Sequence, residues 1–436
     1  MGFLSGFSIA MGANIIVFVL SLVNNKIIYL FLSETDNGVF FLVMRSSLFL
    51  ALFFGDWLRL SSMNIAGKDK RIIPVLSANG FWYSIILALI FTIPAIIFST
   101  RIEGTLLGIP ARYLPAVFLV GAALIARNNW QSLLLVAHRM FSYGFTFILW
   151  ISLFLLLDVY FIVILRYGLN FVIAAFIAAS FVSALWAFFS SCKANGHSFR
   201  FSLSTFGMSG KIGARAWMAV LGMFLMTNIH AFTVGTLAGS VTEGLVMVAI
   251  FSVSFRVFSL FQRGADVAGT VLYSHVVQQD ETASSRMTML VTRNIILLSI
   301  VFALLGAVFG KVIILIISSS RYIEAYIPLL FMLPGIVCIN AGSVINNYYW
   351  GRTYPLKIIV APFVAAVFGL FLNVLLVPRI GVSGATLSFS LMSVLWFVYQ
   401  VVRFANDSGR GFYEVLVPRV SDVARIMSRI TEKFKR

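Results

Sequence analysis

The run PVLSANGFWYSIILALIFTIPAIIF occupies residues 74–98 and contains no Asp, Glu, Lys or Arg. A helix of this length crosses the hydrocarbon core of a bilayer, which takes roughly 20 apolar residues. Similar apolar stretches lie near residues 7–32, 38–60, 112–136, 143–164, 169–190, 214–236, 244–263, 290–317, 325–349, 355–377 and 382–404. The sequence therefore predicts an all-α, polytopic membrane protein with about 12 transmembrane helices. The segment 264–289 carries several charges and is predicted to be mostly loop.

The composition of the 436-residue chain supports this class. Hydrophobic types make up 60% and charged types 11%, whereas soluble domains are about half apolar and a quarter charged. A soluble enzyme and a disordered chain are excluded, and so is an outer-membrane barrel with its alternating strands. Cys192 and Cys338 lie in or beside apolar segments and indicate no metal site. We expect no cofactor, and the lack of a phosphate-binding loop motif excludes ATP as the direct energy source.

The excess of 32 Lys and Arg over 15 Asp and Glu has a membrane explanation. Cytoplasmic loops are enriched in basic residues, so no nucleic-acid partner is needed. Placing both termini in the cytoplasm puts most basic residues there: Lys68, Lys70, Arg71, Arg127, Arg139, Lys193, Arg200, Lys211, Arg215, Arg286, Arg352, Lys357 and the tail. Residues 405–436 form that tail, in which Val420, Val423 and Met427 recur at helical spacing among Arg and Lys. It is predicted to be a basic amphipathic helix on the inner membrane surface, with partner binding as the alternative.

The chain also contains a weak internal repeat. An offset of 213 pairs Pro115 with Pro328, Arg139 with Arg352, Arg166 with Arg379, Gly168 with Gly381 and Ser180 with Ser393. A separate offset of 211 pairs Phe40 with Phe251 and Arg45 with Arg256. This pattern predicts two pseudo-symmetric six-helix bundles, residues 1–204 and 205–404, around a central cavity.

The run NVLLVPRIGVSGAT at Asn373–Thr386 resembles the turn between spans eleven and twelve of polysaccharide-repeat (O-antigen type) flippases. These belong to the multidrug/oligosaccharidyl-lipid/polysaccharide exporter superfamily. The tripeptides at 333–335, 340–342 and 349–351 (LPG, NAG and YWG) are similar to that family's tenth span.

The resemblance implies a transporter rather than an enzyme. Its expected task is to transfer oligosaccharides linked to undecaprenyl diphosphate by alternating access. These oligosaccharides would be the repeat units of the O-antigen of lipopolysaccharide or of another surface polysaccharide. The transfer would run from the cytoplasmic to the periplasmic leaflet of the bacterial inner membrane. The expected partners are the lipid-linked substrate and membrane lipids, with a polysaccharide polymerase and a chain-length regulator as possible further partners.

Cations within the predicted spans are the candidate substrate-binding residues. Arg45 and Arg256 lie well inside spans, where a charged side chain usually faces a bundle interior or a water-filled cavity. Arginine also suits a diphosphate because its guanidinium offers several donors in a plane. Lys26, Arg59 and Arg263 are further candidates near span ends. The alternatives are snorkelling, pairing with a carboxylate and simple anchoring at the membrane surface.

Acidic and imidazole groups are the candidates for proton coupling. Asp56 lies one turn before Arg59, a spacing that favours an ion pair. Asp158 has no cation nearby in the sequence, and a buried lone carboxylate can carry a proton. His230 is a third candidate. The alternative for Asp158 is contact with water at the outer surface. The alternative for His230 is a hydrogen-bonded position in the core.

Amides and aromatic side chains cluster at the predicted inner ends of two spans. Amides and flat rings suit sugar hydroxyls and sugar faces, so we expect sugar contact at the inner entrance from Asn128, Asn129, Trp130, Asn346, Asn347 and Tyr349. An interfacial aromatic belt is the alternative.

Two other functions remain open. An ion-coupled multidrug antiporter of the same superfamily would need buried carboxylates for its cationic substrates, whereas this chain offers arginines. A membrane polysaccharide polymerase would need a long outer loop, and the predicted outer loops are short.

Overall fold

The computed structural model describes residues 3–99, 101, 104–106, 108–196, 198–278, 280–352 and 355–417. Almost all of them are helical. The helices are α1 (Phe3–Phe31), α2 (Glu34–Lys68), α3 (Ile73–Ser99), α4 (Leu114–Val136), α5 (Met140–Asp158), α6 (Leu169–Asn195), α7 (Leu203–Thr236), α8 (Val241–Gln278), α9 (Glu281–Ile317), α10 (Tyr326–Trp350), α11 (Leu356–Ser408) and α12 (Phe412–Leu416). Two short antiparallel strands, β1 (Thr105–Leu106) and β2 (Ile109–Pro110), lie between α3 and α4.

Within the described residues, ten helical segments are long and apolar enough to cross a membrane. The chain is therefore an all-α, multi-pass membrane protein, as predicted. The count of 12 spans stays a prediction. Helix α4 is not among the ten and carries the polar run 127–131, whereas α11 is included as one helix of 53 residues.

Helix α11 is interrupted at Ile380 and Gly381, whose backbone angles are not helical. Gly381 has φ 58° and ψ −137°, a region that is essentially restricted to glycine. Gly384 packs against the backbone at Leu376, before the break. A Cβ atom added at Gly384 would lie 2.6 Å from the carbonyl oxygen of Leu376. The motif at 373–386 therefore forms the turn that the sequence predicted between two apolar segments.

The helix boundaries agree with the repeat offset of 213. Helix α6 covers residues 169–195, and the same offset gives 382–408, the part of α11 after its break. Ser180 donates to the carbonyl of Phe176 at 2.8 Å, and Ser393 donates to the carbonyl of Phe389 at 2.5 Å. Both phenylalanines are buried and are also 213 positions apart. The two segments thus share a local packing arrangement.

The prediction of a loop over 264–289 is wrong. Helix α8 continues to Gln278 and α9 begins at Glu281. The reason is an apolar stripe on α8: Ala265, Leu272 and Val276 recur at helical spacing and are buried in a hydrophobic cluster. This burial stabilises the helix despite the charged residues around it.

The chain divides into two compact units, whose boundaries fall within α7, α8 and α9 and in the segments that follow α7 and α9. The first comprises Met1–Phe224, Ala238–Ala249 and Ile316–Ser319, and the second comprises Leu225–Leu237, Ile250–Leu315 and the chain from Ser320 onward. The division at 204/205 stays a prediction.

Helix α4 is the central element of the first unit and packs against α2, α3 and α6. Small residues permit this packing. Gly55 of α2 accommodates the side chain of Ile125, and Gly80 of α3 accommodates the amide of Asn129. On another face, Trp130 packs against Phe188 of α6 with ring centroids 4.9 Å apart. These contacts bury nearly the whole second half of α4.

The segment between α6 and α7 is fixed to α3. The side chain of Asn79 donates to the carbonyl of Ser202 at 3.1 Å and accepts from its amide at 2.8 Å. The indole of Trp82 donates to the carbonyl of Phe199 at 2.8 Å. The start of α7 is therefore held within the first unit.

The short helix α12 belongs to the core of the second unit. Val415 is fully buried in the cluster formed by α8, α9, α10 and α11. Arg293 of α9 donates to the backbone carbonyl of Glu414. Residues 418–436 of the predicted tail, with Val420, Val423, Met427, Ile430, Phe434 and their basic neighbours, lie outside the described residues.

Substituting Gly213 tests the packing of α7 on α2. A Cβ atom at Gly213 would overlap the backbone carbonyl of Trp57, and backbone cannot move aside cheaply. Gly213→Ala should lower the unfolding free energy by about 1–3 kcal/mol. In the same helix, Gly207 faces open space. Gly207→Ala should be neutral or stabilising, by up to about 1 kcal/mol. Thermal unfolding of the two purified variants should separate them, and equal midpoints would contradict the packing.

Substituting Gly381 tests the break in α11. Gly381→Ala forces a side chain into a glycine backbone conformation and should cost about 1–3 kcal/mol of stability. Its partner in the repeat, Gly168, provides the control because its φ of −92° suits any residue and no atom crowds it. Gly168→Ala should leave thermal unfolding nearly unchanged. The interpretation fails if both variants unfold alike.

Candidate functional site

Arg45 and Arg256 both lie inside long apolar helices. Arg45 follows the first residue of α2 by 11 positions, about 17 Å along the axis. It is half-buried, and its guanidinium lies 5.1 Å from the ring centroid of Phe41. Arg256 is half-buried in α8 between the buried side chains of Phe255 and Val257. Arg45 in the first unit and Arg256 in the second are therefore both partly accessible within long apolar helices, where charge is costly.

The remaining candidate cations differ in their surroundings. Lys26 is half-buried in α1. Arg59 forms the predicted ion pair with Asp56, with Nε–Oδ1 and Nη2–Oδ2 distances of 2.8 and 3.0 Å. That pair is locally neutral, so Arg59 has less charge to offer an anion than an unpaired arginine. Arg263 is exposed and lies one turn before Asp266, whose charge acts on it.

Asp158 is fully buried at the end of α5, in the first unit. The helix changes there from α to a π-helical segment, Val159–Ile164, a geometry that is frequent at functional sites. The adjacent polar side chain is Asn24 of α1, which is also buried. Neither carboxylate oxygen has a hydrogen-bond partner among the described residues. A proton or a bound cation would satisfy this group.

His230 occupies a hydrogen-bonded position in the core of the second unit. Its Nδ1 lies 3.1 Å from Oδ1 of Asn373, and the amide of Asn373 donates to Oγ1 of Thr233 at 2.6 Å. The imidazole ring meets Phe389 edge to face at 5.6 Å. With the amide in this orientation, Nδ1 of His230 carries the proton. The first residue of the recognised motif, Asn373, therefore connects α7 to α11.

The six residues assigned to sugar contact lie in two separate groups. On α4 of the first unit, Asn129 and Trp130 are buried, and Asn128 is half-buried. The indole of Trp130 donates to the carbonyl of Ser77 at 3.4 Å.

On α10 of the second unit, Asn346 is buried, and Asn347 donates to the carbonyl of Ser343 at 2.8 Å. Tyr349 donates to a carboxylate oxygen of Asp407 at 2.8 Å. Most of these side chains fill helix interfaces, so their contact with sugar stays a prediction that requires exposure in another state.

Arg127 is a buried cation that the sequence analysis did not select as a site residue. It was counted only among the basic residues on the cytoplasmic side. It lies nine residues before the end of α4 and is 6% exposed. Its guanidinium lies over the rings of Phe147 and Trp150 of α5, at 5.7 and 5.3 Å from their centroids. The apolar runs on both sides of residue 127 were the available signal.

Comparison with known proteins shows similarity in fold. No protein-family model and no curated protein sequence matches the chain. A multidrug resistance MATE family transporter of the MOP superfamily, in its inward-facing conformation, superposes with a TM-score of 0.71 and 15% identity, over 89% of this chain and 94% of that one. The lipid II flippase MurJ, in an inward closed conformation, gives 0.70 and 14%, over 93% and 88%.

A MOP superfamily transporter from Pyrococcus furiosus, for which reverse polarity of the binding pocket suggests a different function, gives a TM-score of 0.62 at 14% identity, over 92% of this chain and 94% of that one. A multidrug resistance transporter and a lipid flippase thus resemble this chain in fold over nearly its whole length. The chain has the fold of the MOP superfamily transporters.

Proposed function

We propose that this protein is a flippase for polyprenyl-diphosphate-linked oligosaccharides. It moves the repeat units of a surface polysaccharide from the cytoplasmic to the periplasmic leaflet of the bacterial inner membrane by alternating access. Both termini lie in the cytoplasm. The observation that supports this choice is the pair of partly accessible arginines within apolar helices, Arg45 in α2 and Arg256 in α8.

The chemistry of the substrate explains why cations favour this function. A diphosphate cannot enter hydrocarbon without compensation, because burying each ionised group costs several kcal/mol even after relaxation. Guanidinium groups replace the lost water with charge-assisted hydrogen bonds. The polyprenyl chain needs no such help because lipid already solvates it. A cationic interior therefore suits this substrate, whereas a cationic drug would be repelled by it.

The further assignments follow from this task. Lys26, Arg59 and Arg263 would attract the diphosphate toward the two arginines, and the amides and rings of α4 and α10 would receive the sugar. A polysaccharide polymerase and a chain-length regulator are the expected partners, since flipped repeat units are polymerised outside. No catalytic role is proposed for any residue.

Deleting the gene in its native bacterium tests the function directly. Undecaprenyl-diphosphate-linked repeat units should accumulate on the cytoplasmic leaflet, and the surface polysaccharide should disappear. Expression of the intact chain should restore both. Unchanged surface polysaccharide after deletion would contradict the proposal.

Substituting the two arginines tests the site. Arg256→Gln and Arg45→Gln should each reduce the rate of polysaccharide export by about 10-fold or more, because a hydrogen bond to a charged group is worth about 1.5–3 kcal/mol. Lysine at either position should retain part of the activity, since it keeps the charge but loses the planar fork.

Arg379→Gln is the matched control. Arg379 is exposed beside the break in α11, and among the described residues it donates only to the carbonyl of Leu375, at 2.8 Å. Its replacement should leave export unchanged at equal protein levels. Full export by Arg256→Gln, with normal expression, would remove the leading residue from the site.

A multidrug antiporter is the second candidate, and Asp158 is the observation that favours it. Its buried carboxylate, next to Asn24, is suited to bind a proton or a cation. In either function Asp158 is proposed to couple transport to an ion gradient. Asp56 is less suited to this role because Arg59 already pairs with it.

Asp158→Asn separates these alternatives. If the protein is a proton-coupled flippase, the variant should fold normally but lose the dependence of polysaccharide export on the proton gradient. If it is a drug antiporter, the variant should sensitise cells to cationic compounds and leave polysaccharide unaffected. Gradient-dependent export equal to that of the unmodified protein would show that Asp158 has no coupling role.

A further inference from the structure

Two side chains on one face of α4 present hydrogen-bond donors that have no acceptor. Arg127 and Gln131 are four residues apart, a spacing that places them on the same side of a helix. They are 6% and 3% exposed. Among the described residues, Nε and Nη1 of Arg127 and Nε2 of Gln131 make no hydrogen bond. Burial of so many unpaired donors on one face is unfavourable unless something else accepts from them.

Aromatic rings, not carboxylates, surround the guanidinium. The guanidinium of Arg127 lies over Phe147 and Trp150, and it forms no ion pair within the described part of the chain. A ring face attracts a cation but does not saturate the N–H groups in the guanidinium plane. The positive charge is therefore only partly compensated by the protein.

The rings that hold Arg127 are themselves fixed. The indole of Trp150 donates to Oγ of Ser180 on α6 at 3.3 Å and packs against Phe154 and Phe176 with centroids 6.2 and 6.1 Å away. Helix α4 packs extensively against α2, α3 and α6, but it meets α5 at few positions. Arg127 thus lies on the side of α4 that meets α5.

The chemistry of these groups determines what can bind. A cation would be repelled by the guanidinium. The hydroxyl oxygens of a neutral sugar could accept its hydrogen bonds, but they would leave the buried positive charge uncompensated. A group with several acceptor oxygens and negative charge matches both the guanidinium fork and the neighbouring amide. We propose that Arg127 and Gln131 form an oxyanion site inside the first unit, which binds a phosphate or diphosphate group.

The bound group can be the headgroup of a lipid-linked substrate or a free inorganic anion. In the first case the site deepens the proposed function and rests on it, because Arg127 would hold the diphosphate during its passage. In the second case the site is independent of lipid transport. Both cases require the same recognition chemistry, so binding of a soluble probe tests the site before its source is decided.

The experiment measures binding of inorganic pyrophosphate to the purified full-length protein by titration calorimetry and by thermal unfolding. The intact protein should bind it saturably and unfold at a higher temperature when it is present. Arg127→Gln should weaken binding by about 10-fold or more, and Gln131→Leu by a few-fold. Arg127→Lys should fall between the intact protein and Arg127→Gln.

Gln400→Leu is the matched control. Gln400 of α11 is fully buried in the second unit, and its amide also lacks hydrogen-bond partners among the described residues. Its replacement should leave pyrophosphate binding unchanged. If Arg127→Gln does not fold, Gln131→Leu and Arg127→Lys decide the outcome.

Three outcomes would overturn the proposal: no saturable binding by the intact protein, binding by the Arg127 or Gln131 variants at the affinity of the intact protein, or equal loss in Gln400→Leu. Competition then identifies the source. Displacement of pyrophosphate by a polyprenyl diphosphate indicates a headgroup site, and its failure indicates a site for a free anion. The two proposals can also fail separately. If gene deletion leaves the surface polysaccharide normal but the purified protein still binds pyrophosphate, the proposed function is wrong and the anion site stands.

Discussion

Hydrocarbon supplies no hydrogen-bond partners, so a membrane-spanning chain must satisfy its polar groups from within. Helices satisfy the backbone groups, and several buried polar side chains of this protein are satisfied by one another. Asp56 pairs with Arg59, and Asn373 joins His230 to Thr233. Against this background, polar groups that remain unsatisfied stand out as positions where something outside the chain is expected to bind.

Two of the unsatisfied groups in the first unit have opposite chemistry. Asp158 is a buried acceptor at a change from α to π helix, and Arg127 is a buried donor over two aromatic rings. Oppositely charged groups in one bundle are suited to a transporter that handles an anionic substrate and a coupling cation. The fold alone does not identify the substrate, because a multidrug resistance MATE family transporter and the lipid II flippase MurJ share it. The substrate is therefore inferred from the charged side chains within the helices.

The features that sequence predicted were local ones. Apolar runs predicted the helices, the spacing of Asp56 and Arg59 predicted their pair, and the glycines at 381 and 384 marked the turn in α11. Each of these features is determined by a few residues that are close together in the sequence. The repeat offset was predicted from scattered identities. Ser180 and Ser393 each donate to the carbonyl four residues earlier, a bond that serine commonly makes in helices, so the two-bundle division stays a prediction.

The features that sequence missed depend on distant partners. Arg127 was not selected as a candidate because its environment is set by Phe147 and Trp150 on the next helix. The continuation of α8 was missed because its apolar stripe is sparse and becomes meaningful only against the side chains of α9 and α10. The burial of Asn129 and Trp130 depends likewise on a glycine and a phenylalanine in other helices. Single-chain hydropathy contains no information about such neighbours.

The position of α12 affects how the orientation of the chain can be mapped. Reporter fusions are usually joined after the last apolar segment, which here would place the junction near Ser408. A junction there would remove Val415 from its pocket and deprive Arg293 of the carbonyl that it contacts. The resulting hybrid would carry a damaged second unit, and its reporter signal would reflect misfolding as well as sidedness. A faithful topology map of this protein needs its junction placed beyond residue 417.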